Sequence, residues 1–308
     1  MATFESLALV EEVRIEMKNY IVACGQITWG RETPRDQVLK EIADAGYEGA
    51  PAGPYGGATP ESIVELYGRF GLRPGPGYLG ANFWDPALTD ELLERSKMLA
   101  EFTVGIGCDA IFVADGGFQT VTSSGKTRRD LAGHPAPSDS LTPDQYKYYG
   151  EVLTKCGEIF LASGVMACFH NHVGSFIETR QEIDDLWAQV DRTKVFQGPD
   201  IGHLAWGGVD VTQFCRDYAS EIKCLHIKDI YPGVMQEGLA KGWTYGEFSE
   251  AGIFAELGEG MVDFPTMFEI LNAAGYNGWL VVETDRTIKP SAFESAKISR
   301  DYLKSLGY

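Results

Sequence analysis

Residues 165–172 read VMACFHNH, an apolar run ending in two histidines one position apart. The run follows TPDQYKYYGEVLTKCGEIFLASG (142–164), a helical pattern closed by a glycine stop. A short run without polar alternation reads as a strand buried on both faces, as in a parallel sheet. The same strand-then-helix pairing recurs along the chain. The other runs are YIVACGQITW (20–29), GAPAGP (49–54), RPGPGYLGANF (73–83), AIFVADG (110–116), KVFQGPDIGH (194–203), IKCLHIKDI (222–230) and GWLVVETD (278–285). Amphipathic segments such as ATPESIVELYGRFG, with Pro60 near its first turn, separate them. Eight such repeats predict an α/β chain folded as a single (β/α)8 TIM barrel spanning 1–308. An open doubly wound sheet would carry a glycine-rich phosphate turn after its first strand, and GQITWGRETP is not G-x-G-x-x-G. Two segments fall outside the pattern. FQTVTSSGKTRRDLAGHPAPSDSL, within 117–141, is rich in turn formers and reads as a surface loop. Residues 231–260 read as an insertion between strands seven and eight, and its Trp243, Tyr245 and Phe248 suit a lid, a subunit contact or a plain surface excursion.

Composition narrows the function. The chain has 26 basic against 44 acidic residues, a net charge of −18, which argues against a nucleic-acid partner. The first 19 residues, MATFESLALVEEVRIEMKN, have an acidic helical pattern with neither a basic start nor a long apolar run, so no membrane span or leader is expected. Six scattered cysteines form no C-x-x-C pair and read as reduced thiols of a cytoplasmic protein.

In a barrel of this kind the site forms at the C-terminal ends of the strands. Strand five ends in His170 and His172, strand six in Asp200 and His203, strand seven in His226, Lys228 and Asp229, and strand eight in Glu283, Asp285 and Arg286. A lone histidine at a strand end is usually a structural residue. Four of the five histidines at three successive strand ends, with carboxylates among them, are costly to bury together unless a cation pairs them. Imidazole with carboxylate suits Mn²⁺, Co²⁺, Zn²⁺ or Fe²⁺. Alternation puts His170 and His172 on the inner side, one towards the metal and the other a layer higher towards substrate. Asp200 and His226 read as ligands and Glu283 as the strongest carboxylate candidate. Lys228 and Asp229 read as further out, as substrate contacts or a rim salt bridge.

The succession HNH…DIGH…HIKD…VVE, with LGEGMVDFPTMFEIL between the last two, resembles the xylose-isomerase-like barrels. That group includes sugar isomerases, ketose 3-epimerases, inosose dehydratases and a DNA-repair endonuclease. ITW near residue 28, GPYG (53–56), FHNHVGSFIET and GWLVVE are most similar to the inosose dehydratases, and the outline also resembles the catalytic subunits of C-glycoside deglycosidases. The resemblance implies Asp200, His226 and Glu283 as ligands of a divalent metal, Mn²⁺ foremost and Co²⁺, Zn²⁺, Fe²⁺ or Mg²⁺ as alternatives. Relatives have a glutamate where this chain has His170, which leaves His170, a water or Glu178 for the fourth position. T-D-R after Glu283 also departs from the dehydratase pattern. The implied chemistry is proton abstraction beside a ketone of a keto-cyclitol or keto-sugar, followed by elimination; epimerisation or isomerisation is the alternative. His172 and His203 are then candidate base and acid, with Glu283 assisting. Trp29, Glu178, Lys228, Asp229 and Arg286 are candidate substrate contacts. A homo-oligomer or a small companion subunit is the expected assembly.

Overall fold

The computed structural model describes residues 20–308, so the helical pattern expected over the first 19 lies outside the described residues. The barrel strands are β1 (Ile21–Cys24), β2 (Gly49–Pro51), β3 (Arg73–Gly75) with β4 (Gly77–Ala81), β5 (Ala110–Asp115), β6 (Met166–His170), β7 (Val195–Gln197), β8 (Cys224–Ile227) and, after the antiparallel pair β9 (Asp229–Ile230) and β10 (Phe254–Ala255), β11 (Trp279–Val282). Parallel pairing runs β3-β2-β1-β11-β8 and β4-β5-β6-β7. Two facts join these halves into a closed ring. β3 and β4 are one strand interrupted at Pro76, which has no N–H to give to a ladder. Isolated parallel bridges, Gln197 with Ile222 and Asp200 with His226, connect β7 to β8. The predicted eight-stranded α/β barrel is therefore present, with its third strand split.

The helices are α1 (Arg35–Ala45), α2 (Pro60–Gly68), α3 (Thr89–Gly105), α4 (Pro143–Ala162), α5 (Arg180–Trp187), α6 (Ile201–Trp206), α7 (Val211–Tyr218), α8 (Pro232–Lys241), α9 (Tyr245–Glu250), α10 (Phe264–Ala273) and α11 (Ala292–Ser305). Threonines 59, 142 and 179 each cap a helix, their hydroxyls accepting the backbone N–H three residues on. Pro60 occupies the first turn of α2, where its missing N–H costs nothing. None of the described helices is long and apolar enough to cross a membrane, and all six cysteines are buried and free.

Two expectations change. The sixth strand ends at Gln197, short of DIGH, and Asp200 is the N-cap of α6, with its carboxylate accepting from His203 N at 3.0 Å. The offset of three between Asp200 and His203 is thus the spacing of a helix cap rather than of a strand running into a loop. Residues 231–260 form α8, α9 and β10 over a separate apolar cluster that includes Trp206, Phe248, Ile253 and Phe254.

The polar loop after β5 is tied down from beneath. Arg128 is fully buried; its guanidinium donates to Ser175 O at 2.7 Å and pairs with Glu182 at 2.9 Å and Glu178 at 3.6 Å. Glu182 also accepts from Glu178 N, Thr179 N and Ser140 Oγ, so one carboxylate holds the start of α5 and the loop together. Removing a partner from a buried ionic network leaves an uncompensated charge, which costs about 3–5 kcal/mol. Arg128→Ala is therefore expected to lower unfolding stability by about that amount, read from the midpoint shift in urea at constant slope.

Candidate functional site

The C-terminal end of the barrel opens into a cavity of about 840 Å³, with His170, His172, His226, Lys228, Glu283 and Asp285 in its lining. Two glycines make room for these side chains. A Cβ on Gly25 would stand 2.4 Å from Glu283 Oε1, and one on Gly202 would stand 2.4 Å from Lys228 Cβ. Larger residues at either place would collide with the site.

The innermost layer joins His170 at the end of β6, Asp200 at the head of α6 and His226 in β8. His226 Nδ1 is 3.6 Å from Asp200 Oδ2, and His170 Nε2 is 4.0 Å from the same oxygen. The ligand-capable atoms of these three residues lie within 4.8 Å of one another. Glu283, just past β11, joins from the side, with Oε2 3.3 Å from His226 Nδ1. His170 Nδ1, His226 Nδ1 and Asp200 Oδ2 are buried without a hydrogen bond; Lys228 Nζ is 3.1 Å from that oxygen but lacks the angles for one. Two of these orphaned atoms, His226 Nδ1 and Asp200 Oδ2, lie only 3.6 Å apart, and such buried atoms without partners are rare in a folded interior. Two imidazoles with carboxylates form a donor set suited to a divalent first-row metal, so these residues fit such an ion. Edge-on contacts from Phe112 at 4.2 Å to His226 and 5.6 Å to His170 fix both rings.

Electrostatics divides the histidines. Burial pushes the His226 imidazole down, but Glu283 and Asp200 outweigh it and raise its pKa to about 9. Burial and the neighbouring His226 hold His170 well below its ordinary value. Burial also favours neutral carboxyls; against it, Lys228 and His226 hold Glu283 well down and keep Asp200 below the usual range.

The next layer holds His172, His203, Lys228 and Asp285. Lys228 is 2% exposed, and its ammonium reaches Asp200 at 3.1 Å, Glu283 at 3.0 Å and Asp285 at 2.5 Å. It is thus the shared counter-ion of three carboxylates, not a rim residue. His172 places Nδ1 2.7 Å from Val173 O; since a carbonyl can only accept, Nδ1 carries the hydrogen and Nε2 keeps its lone pair. Burial, Lys228 and Arg129 hold the His172 pKa well below 6.5. The His203 ring lies 3.7 Å from that of His172 but is fully buried behind it, against Val173 N and Lys228. His203 is therefore outside the cavity wall.

Four other expected contacts are also placed elsewhere. Trp29 is in the core, its indole N–H donating to Glu41 at 2.6 Å. Glu178 is fully buried on Arg128 and accepts from Gly133 N at 2.6 Å and Gly174 N at 2.7 Å, so it neither reaches back to the inner layer nor meets the cavity. Asp229 accepts the backbone N–H groups of Ile230, Gly258, Gly260 and Val262, which pins the segment after β10. Arg286 is exposed and absent from the lining. In exchange, the structure adds Asp285, Tyr78, Phe118 and Arg129 to the wall. Tyr245, from α9, stacks near His172 and donates to Asp285 at 3.0 Å.

Because His226 is protonated in the metal-free site at neutral pH, a metal must displace that proton. Titration of metal-free protein with Mn²⁺ at about pH 7 is expected to release about one proton, measured by calorimetry in buffers of different ionisation enthalpy. Affinity should rise with pH and level off once pH passes about 9, and Asp200→Asn should abolish uptake.

Comparison with known proteins agrees with this architecture. Rhizopine catabolism protein MocC of Rhizobium meliloti is 31% identical over 283 residues, covering 86% of this chain and 81% of MocC. An inosose dehydratase of Geobacillus kaustophilus is 26% identical over 280 residues, covering 90% and 89%. The crystal structure of a sugar phosphate isomerase/epimerase from Parabacteroides distasonis superposes with a TM-score of 0.66 at 18% identity, over 97% of this chain and 98% of the other. Residues 36–306 match the xylose isomerase-like TIM barrel, and the chain belongs to that family.

Proposed function

We propose that this protein is a divalent-metal-dependent carbon–oxygen lyase that removes a proton beside the ketone of a keto-cyclitol or keto-sugar and expels a β-oxygen. The observation that carries the reading is the His172 tautomer: Nδ1–H is committed to Val173 O, which leaves Nε2 as the free, neutral nitrogen of a ring that lines the cavity. Inosose dehydratase relatives, whose name describes loss of water from a keto-cyclitol, support elimination. His170, Asp200, His226 and Glu283 would hold the metal, Mn²⁺ being the first to test. When bound there, it supplies Lewis-acid stabilisation to negative charge developing on a carbonyl oxygen.

The remaining work falls to the chain. His172 Nε2 takes the α-proton while the C–H pair becomes the new carbon–carbon double bond. The C–O bond to the β-oxygen breaks, and the imidazolium returns its proton to that oxygen, releasing water or an alcohol. His203, stacked on His172, holds the ring in place rather than touching substrate. Lys228 favours the ionised forms of Asp200 and Glu283 beside the reacting centre and pairs with Asp285, whose pKa burial raises. Aromatic and aliphatic groups in the lining, among them Phe112, Phe118 and Tyr78, exclude water.

The cavity is roomy for a single six-membered ring, so 3-oxo-glycosides belong in the substrate screen beside inososes and ketohexoses. Proton NMR of metal-loaded protein in D₂O is expected to show an enone product from a member of one of these classes, whether neutral or bearing a charged substituent. Deuterium entering a ketose with no loss of water or aglycone would instead establish an epimerase or isomerase. His172→Gln should lower kcat by about 10²–10⁴-fold while metal content, read by elemental analysis, stays unchanged.

A further inference from the structure

The cavity carries a feature that neutral sugars and cyclitols do not require. Arg31, Arg35 and Arg129 contribute to its lining, and among the described residues none of them has a carboxylate within ion-pair distance. In a chain of net charge −18, three unneutralised guanidiniums around one cavity run against the surrounding composition. The cavity's own carboxylates are already engaged: Glu283 and Asp285 pair with Lys228, and Glu283 also meets His226.

Arg129 is the most defined of the three. Its guanidinium carbon lies 4.2 Å from the Phe118 ring centre and 3.8 Å from that of Tyr245, a sandwich between the loop after β5 and α9. Stacking occupies both faces of the planar group and leaves its N–H donors free at the edge. Side-chain hydrogen bonds satisfy none of those donors within the described residues, and the backbone that bears them is anchored by the neighbouring buried Arg128. Phe118 also packs edge-on against His172, with centroids 5.1 Å apart, so the fork stands beside the candidate base. Arg35 adds an unpartnered buried Nε on the facing part of the lining, and its one side-chain hydrogen bond goes to Tyr67 OH.

We infer that Arg129 is the oxyanion-reading group of this site and that the substrate carries a carboxylate or phosphate, held by the Arg129 fork beside His172. Arg31 and Arg35 extend the positive field to the mouth. The inference rests on taking this cavity as the substrate site, but not on the elimination chemistry. A planar fork between two rings suits a bidentate oxyanion, and its fixed position determines which substrate carbon comes to His172 Nε2.

The test is calorimetric titration of full-length, metal-loaded protein with malonate and with inorganic phosphate at one ionic strength. The wild type is expected to bind at least one of them, and the tighter names the charged group. Arg129→Gln should weaken that binding about tenfold or more, because a hydrogen bond to a charged group is lost. Arg129→Lys keeps the charge and loses the fork, so malonate should suffer more than phosphate. Equal affinity in wild type and Arg129→Gln would mean that the anion sits on the metal or elsewhere, and overturns the inference; so does no binding by wild type at on the order of tens of millimolar. If Arg129→Gln melts early, unchanged malonate affinity in Arg129→Lys overturns it instead. Arg129-dependent binding without any elimination product would sink the lyase reading alone.

Discussion

The Lys228 ammonium is the interaction on which the rest of the site depends. It touches Asp200 at the head of α6 and Glu283 and Asp285 on the segment after β11, deep at the mouth of the barrel. Three carboxylates that close would protonate or separate without a nearby cation. With it, Glu283 remains ionised and His226 keeps its proton until a metal arrives. The geometry that permits this is local: Gly202, in the first turn of α6, leaves space for the lysine stem, and Gly25 leaves space for Glu283. Charge, backbone and cavity shape are thus one design, and a side chain on either glycine would disturb all three.

Around that floor the barrel arranges two layers. His170, Asp200 and His226 form the lower one, and their unsatisfied polar atoms point to a cation. His172, two residues beyond His170 and just past the end of β6, forms part of the upper one. The strand sets the first ring and the turn that follows it, closed by His172 N donating to Ile177 O, sets the second. The tautomer of the upper ring is set by its own neighbour's carbonyl, so the ring is prepared for proton transfer before substrate arrives.

Much of this was legible in the sequence, because periodicity and strand-end chemistry are local. VMACFH and WLVVE declare buried strands, and the residues that follow them do cluster. The third run, RPGPGYLGANF, carries the proline at which its strand is interrupted, though not the fact that the strand resumes beyond it. Partnership across the chain was not legible. Asp229 looks like a substrate contact beside a strand end, yet its oxygens are taken by amides some thirty residues away. Glu178 likewise gives no sequence sign of Arg128, and Trp29 none of Glu41. Arg128 and Arg129 are adjacent letters in a polar loop, and no pattern predicts that one turns inward and the other faces the cavity.

That adjacent pair has a consequence for how such a protein changes over time. The buried arginine belongs to the scaffold, and the next residue belongs to the pocket, so the segment between β5 and α4 is held by an anchor independent of what it presents. Residues 118 and 129 could be exchanged without disturbing the metal-type donors on β6, β8 and α6, whereas the base above them would feel the change through the Phe118 ring and the Arg129 charge. Selectivity and the metal-type donors are then inherited on separate stretches of chain, and a change of substrate group in the loop retunes the base without rebuilding the floor beneath it.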